Sequence, residues 1–177
     1  KDFLEERLEG KTRVVDEIFA GKVEKEGGHG NVEWAVAWFG GDDGFSSSYC
    51  NTIPTADGGT HEQGFRTALT RSLKNYADLK NNKRANAVTA DDVMTSSGSL
   101  LSVFIREPEF QGQTKDRLAS VEALRIVENA VRDHFDDWLT GHPAQADRLL
   151  DWIIERADER IRRRAEKEVG RKTAVRK

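Results

Sequence analysis

Residues 31–39 constrain the fold of this chain more than any other stretch. Val32, Trp34, Val36 and Trp38 fall on alternate positions, with Glu33, Ala35 and Ala37 between them. A period of two is that of a strand whose two faces differ. Two tryptophans and two valines on one face carry more apolar surface than a lone strand can hide, so a second layer must lie against them. The flanking sequence supplies both sheet partners and that layer. Residues 18–26 read as a weaker strand, separated from the first by Gly27-Gly28-His29-Gly30, a turn composition that predicts a hairpin. Residues 45–55 form a third strand candidate after the turn-forming Gly40-Gly41-Asp42-Asp43-Gly44. Residues 99–106 form a fourth, expected to be the most buried: Leu101, Val103 and Ile105 face one way, Leu100 and Phe104 the other.

The covering layer is helical. Gly58-Gly59 leads into a segment where Phe65, Leu69, Leu73 and Tyr76 recur at helical spacing. Thr60, with Gln63 three residues on, has the spacing of a capping box, and Thr89 with Asp92 repeats it before a short turn of helix. Ser120 stands where a cap belongs, ahead of a helix carrying Leu124, Val127, Val131, Phe135 and Trp138. Gly141-His142-Pro143 breaks that helix. A last helix runs from about Ala144 with a stripe of Leu150, Ile154, Ala157, Ile161 and Ala165 that gives way to arginines. Thirty residues of helix are ~45 Å long, more than a body of this size is wide, so the helix is expected to protrude. The sum is an α+β body with about four strands in one mostly antiparallel sheet and helices on one face, residues 1–142, followed by a long basic helix, residues 143–177.

Composition narrows the class. Apolar residues make up 37% and charged residues 33% of the 177, too apolar for a disordered chain. No apolar run reaches the ~20 residues of a membrane-spanning helix. The single Cys50 has no partner for an internal disulfide, which points to a reducing, cytoplasmic setting. Charge is segregated. Residues 156–177 hold ten Lys/Arg against four Asp/Glu, whereas residues 1–155 hold 18 against 27. A basic tail on an acidic body suits an anionic partner for the tail, although pairs such as Glu155 with Arg156 can also satisfy a solvated helix.

No self-contained active site emerges. The chain lacks a GxxxxGK[ST] phosphate loop and a GxGxxG turn, and one Cys with four scattered His offers no zinc set. His61-Glu62-Gln63-Gly64 is not a zinc-protease helix motif. The doublets Asp42-Asp43, Asp91-Asp92 and Asp136-Asp137 diverge on a strand or helix, which suits neither a metal nor acid–base work. Two segments remain. Asp57-Gly58-Gly59-Thr60-His61 joins glycines to a helix start, which can cradle an anion or merely turn the chain. Pro108-Glu109-Phe110-Gln111-Gly112-Gln113-Thr114-Lys115 is a polar loop after the most buried strand, whose lysine can reach a phosphate as a point charge or simply be solvated.

Together these segments carry a resemblance. Gly58-Gly59-Thr60-His61-Glu62-Gln63-Gly64-Phe65-Arg66-Thr67-Ala68-Leu69-Thr70-Arg71 resembles the helix entry in the second domain of the family formed by gyrase B and its topoisomerase IV counterpart. Leu101-Ser102-Val103 with the loop through Gln113-Thr114-Lys115 resembles that family's strand and QTK loop, in the same order and spacing. Asn51-Thr52-Ile53-Pro54-Thr55 inclines the likeness toward the topoisomerase IV side. The resemblance spans nearly the whole chain. It implies a transducer domain with a fold similar to the second domain of ribosomal protein S5, placed between a GHKL-type ATP-binding domain and a magnesium-binding TOPRIM domain. It further implies that Gln113 and Lys115 contact the terminal phosphate of ATP held mainly by the preceding domain.

The departure from the family pattern is that neither flanking domain's motifs occur here. The chain alone is therefore expected to be inactive, with no catalytic residue and no metal ligand of its own, as part of a subunit that hydrolyses ATP. Implied partners are duplex DNA (through Arg162, Arg163 and Arg164 of the tail), the topoisomerase A subunit, and a second copy of the ATP-hydrolysing subunit itself. No membrane is implied, and the setting is the nucleoid-associated cytoplasm. The competing expectation is a stand-alone nucleic-acid-binding module of the same fold, in which the basic tail binds alone and Lys115 has no role with ATP.

Overall fold

The computed structural model describes Leu4 and residues 13–40, 44–112 and 115–176, with side chains as far as Lys172. Five strands form one sheet: β1 (Phe19–Val23), β2 (Asn31–Trp38), β3 (Phe45–Cys50), β4 (Ile53–Pro54) and β5 (Ser97–Phe104), in the order β1-β2-β5-β3-β4. Four helices accompany them: α1 (Thr60–Leu79), α2 (Ala90–Met94), α3 (Val121–Gly141) and α4 (Pro143–Arg176). The α+β reading and the long last helix hold. The strand count is five rather than four, because the segment expected as one strand folds back on itself. Asn51 and Thr52 both take left-handed φ, 49° and 69°, and close a two-residue hairpin that pairs Cys50 with Ile53. The Asn51 amide fixes the bend by bonding both backbone groups of Ile105, at 2.9 and 3.0 Å.

Three strand pairs are antiparallel and one, β3 with β5, is parallel. A parallel pair needs a long crossover. Here α1 and α2 supply it, which brings helices onto the face that bears Val32, Trp34, Val36 and Trp38. β5 lies at the centre, with Trp34 opposite Leu101 and Val32 opposite Val103 on β2. On that face Phe65, Leu69, Leu73 and Tyr76 of α1, and Ala123, Val127, Val131, Phe135 and Leu139 of α3, close the core. The α3 stripe runs at a strict spacing of four. Leu124 and Trp138, expected on it, lie beside it half-buried. The opposite face carries a smaller cluster of Ala35, Ala37 and Phe39 with Leu4 and Ile18.

Two caps expected from sequence are corrected. Thr60 is the first residue of α1 rather than its cap; Gly59 takes the cap position without a side-chain bond, and the buried Thr60 hydroxyl finds no partner. Ser120 precedes α3, but its Oγ accepts the Glu109 N–H at 2.8 Å instead of capping. At the second site a tertiary partner thus diverts the cap oxygen, and neither helix start has a side-chain cap. The Thr89–Asp92 capping box forms as its spacing suggests. The α3–α4 break falls at His142, where α3 ends on Gly141 and α4 starts on Pro143. Proline is well tolerated there, in the first turn of a helix.

α4 has 34 residues and is therefore ~51 Å long. Its first half belongs to the core through Ala146, Leu149, Leu150, Ile153, Ile154 and Ala157. Residues 162–172 are all exposed, and Ile161 is 44% exposed, so the apolar stripe ends at Ala157 and the helix projects from the body beyond residue 161.

Helices α1 and α3 touch backbone to backbone at Gly64, where an added Cβ would sit 2.4 Å from the Leu124 carbonyl oxygen. Gly64→Ala should lower the unfolding free energy by about 1–3 kcal/mol, as overpacking does, despite the better helix propensity of Ala. Gly170→Ala, in open space on the free half of α4, should be neutral or stabilising. Denaturant midpoints of the two variants check this, and equal midpoints would mean that the crossing is looser than described.

Candidate functional site

The two segments singled out by sequence meet in space. Backbone bonds run from Asp57 N–H to Asp116 O (2.8 Å), from Leu118 N–H to Gly58 O (3.0 Å) and from Thr60 N–H to Leu118 O (3.0 Å). The far side of the loop pairs with the same strip: Gln111 N–H donates to Arg117 O at 2.8 Å, and Ala119 N–H to Glu109 O at 2.7 Å. Residues 109–112 and 115–119 are thus the two arms of a small hairpin, the returning arm stitched along the entry to α1. Only glycine permits the stitch. A Cβ at Gly59 would stand 2.2 Å from the Leu118 carbonyl oxygen, and its φ is 134°.

Lys115 lies near the tip of this hairpin. It is exposed, its φ is 59°, and it makes no ion pair among the described residues. Glu107, at the foot of the loop, is also left-handed at 50°. Backbone in this region costs a non-glycine residue about 1–2 kcal/mol, and such outliers persist where the surroundings impose them, commonly at ligand-contacting segments. Gln113, the other expected contact, lies outside the described residues, as do Asp42 and Asp43.

Beneath the α1 entry sits a buried polar chain that the sequence did not announce. His61 is fully buried, its Nε2 is 2.8 Å from Thr55 Oγ1, and Thr55 Oγ1 is 2.7 Å from Ser48 Oγ. Its Nδ1 has no partner. Burial alone pulls the imidazole down to about pKa 4, so the ring is neutral at pH 7. His61 is thus a neutral, fully buried ring packed beneath the turn. Cys50 is likewise buried, which pushes its thiol up to about 11 and leaves it protonated and inert.

The tail arginines lie on the free part of α4. Arg162 and Arg164 are exposed, and Arg163 is exposed too but donates to Glu159 one turn back. No cluster of three or more metal-ligating side chains occurs among the described residues.

With this geometry in view, comparison with known proteins is informative. The 43K ATPase domain of Thermus thermophilus gyrase B, solved with an aminocoumarin, superposes with a TM-score of 0.81 at 26% identity, covering 95% of this chain and 45% of that one. The B subunit of DNA topoisomerase 4 from Bartonella bacilliformis is 59% identical over 177 residues, all of this chain and 25% of its own. The Caulobacter vibrioides protein of the same name is 57% identical over 99% of this chain and 26% of its own. Residues 1–169 match the profile of DNA gyrase B. The chain belongs to the DNA gyrase B family, and it spans about a quarter of the length of these two relatives.

The His61 environment predicts a pH dependence. An unfolded histidine titrates near 6.5, the folded one near 4, so between these values only the unfolded chain binds the proton. Stability should be complete above pH 6.5 and decline as pH falls toward 4, by about 3 kcal/mol in all. His61→Gln should remove that slope while lowering stability at neutral pH. Urea midpoints from pH 4 to 8 test this; a wild-type profile as flat as the variant's would show that the ring is not buried in its neutral form.

Proposed function

We propose that this chain is the transducer segment of the B subunit of a bacterial type IIA topoisomerase, of the topoisomerase IV kind. Its body, residues 1–142, has the fold of the second domain of ribosomal protein S5, and residues 143–177 form the arm toward a TOPRIM domain. Lys115, with Gln113, contacts the terminal phosphate of ATP held mainly by a GHKL-type domain of the same subunit, and magnesium belongs to the flanking domains, the TOPRIM domain among them. The supporting observation is the hairpin: an exposed lysine with no ion pair among the described residues, on imposed left-handed backbone, borne by a loop stitched to the start of a 20-residue helix. A compact ammonium suits one phosphate oxygen group, and the donor set fits a phosphate approaching from outside this chain.

The bound nucleotide supplies a terminal phosphate whose charge rearranges on hydrolysis. Lys115 neutralises part of that charge and ties the position of the hairpin to its presence. Because the hairpin is bonded to Gly58 and Thr60, the pull passes directly into α1. Such order switches held by a terminal phosphate relax when it leaves. The enzyme in this reading contains two copies of this subunit together with the topoisomerase A subunit. It acts on duplex DNA and works in the nucleoid-associated cytoplasm. The free half of α4 meets DNA through Arg162, Arg163 and Arg164.

Lys115→Ala in the full-length subunit should lower ATP turnover by roughly 10²-fold while nucleotide affinity falls much less. Arg should rescue poorly, and Lys83→Ala, on another exposed stretch, should change nothing. Near-normal ATP-dependent strand passage in Lys115→Ala would remove the reading.

The exposed arginines of α4 keep a second reading alive, a stand-alone nucleic-acid-binding module. Roughly 3 to 5 phosphate contacts predict a log–log salt slope of about −3 to −5 for duplex DNA. Arg162→Ala, Arg163→Ala and Arg164→Ala combined should flatten it. A normal Lys115→Ala enzyme together with a steep, arginine-dependent slope would favour the module. Affinity that hardly changes with salt would leave the tail as a connector.

A further inference from the structure

The long helix is held to the body by few polar contacts, and one differs in kind from the rest. Near its start, the Tyr76 hydroxyl of α1 donates to Asp147 Oδ1 at 2.7 Å. Further on, Arg84 pairs with Asp158, but the two side chains are 65% and 50% exposed, a setting in which ion pairs hold little. The last contact is Arg160 with Asp92 of α2. Arg160 Nε donates to Asp92 Oδ1 at 3.0 Å, its Nη2 donates to Oδ2 at 3.2 Å, and the same Nη2 donates to the Ala87 carbonyl at 2.9 Å. The Asp92 side chain is only 5% exposed. Its Oδ2 also accepts the backbone N–H and the hydroxyl of Thr89, closing the capping box of α2. A buried carboxylate with a two-pronged guanidinium fixes direction as well as distance. Removing the arginine would strand that charge. Beyond it, residues 162–172 are exposed and Arg163 pairs only within its own helix.

The neighbouring acid turns the other way. Asp91 pairs with Arg66, in the second turn of α1. The doublet that suits no metal therefore bridges two helices, one acid to each. α1 in turn carries the stitched hairpin of Lys115 at its first residue, Thr60. A contiguous series of contacts runs from the hairpin through α1 and α2 to Arg160.

We propose that Arg160 is the positioning residue through which the body steers the free half of α4, its grip on Asp92 being the pivot where hairpin displacement becomes helix displacement. The proposal rests on the transducer reading above. Arg160 touches neither nucleotide nor DNA in this role. It sets the angle at which the arginine-bearing segment leaves the body, and Asp91 with Arg66 keeps α2 moving with α1.

The test uses the full-length protein in complex with its A subunit. Arg160→Gln should keep ATP turnover within about twofold while strand passage per ATP falls roughly 10-fold, within the range of measured couplings between sites. Asp92→Asn, which keeps a carbonyl oxygen for the Thr89 cap but loses the charge, should uncouple in the same way. Arg160→Lys should restore a good part of the coupling. Spin labels at the exposed positions 121 and 167 should give a narrow distance distribution that shifts with nucleotide in the wild type and a broad, unshifted one in Arg160→Gln. Full coupling in both Arg160→Gln and Asp92→Asn overturns the proposal. So does a proportional fall of turnover and passage with unchanged label distances, which would mark a general structural defect. Lys115→Ala run in parallel separates the two ideas. If it abolishes coupling while Arg160→Gln does not, only the pivot fails; if it behaves as wild type, the transducer reading itself fails.

Discussion

The pairing of Leu118 with Gly58 and Thr60 is the contact on which the rest of this molecule turns. It uses backbone groups alone, and it leaves room for nothing larger than hydrogen at Gly59, while the Leu118 side chain is buried in the core. Through it a loop that follows the central strand is fused to the start of the helix that precedes that strand. Leu118 O takes the Thr60 N–H, one of the four donors that the start of α1 leaves without an intrahelical partner. Loop and helix start are thereby one unit rather than two.

Below that unit the architecture is a matter of area and reach. The tryptophan-bearing face of β2 demands cover, and α1 and α3 provide it with stripes of residues spaced by three or four. The parallel β3–β5 pair cannot form without a crossover, and α1 is that crossover. At Gly64 the two helices come as close as backbones allow. A helix fixed at its first residue by Leu118 and along its length by α3 has little freedom to move except as a body.

Sequence reading succeeded where the signal was periodic and local. Alternation gave β2, stripes gave α1 and α3, and Gly141-His142-Pro143 gave the break before α4. It failed where a distant partner took over a local role. Thr60 and Ser120 stand at cap positions, yet Leu118 O serves α1, and Ser120 Oγ is drawn to Glu109, 11 residues upstream. The fifth strand was missed because Asn51 and Thr52 close a left-handed hairpin with no glycine to announce it; the amide bond pair to Ile105 stabilises it from 54 residues away. Asp92 is the sharpest case. Its partner Arg160 lies 68 residues further on, where no window of sequence connects the two. Lys115 was singled out through likeness to a family, and the imposed backbone beneath it was not legible in composition or spacing.

The strand at the centre of the sheet is the last one synthesised. β2 and β3 flank a gap that only residues 97–104 can fill. Until then β1 and β2 are a two-strand ribbon, marginal on its own, with Trp34 and Trp38 uncovered. At ordinary translation rates, the interval between making residue 50 and residue 104 lasts roughly 3–10 s. Throughout it, two adjacent edges stand open on a nascent chain, each a template for pairing with another copy. Any ribosomal pause within that window, which falls while the crossover is being made, prolongs the exposure of those two edges.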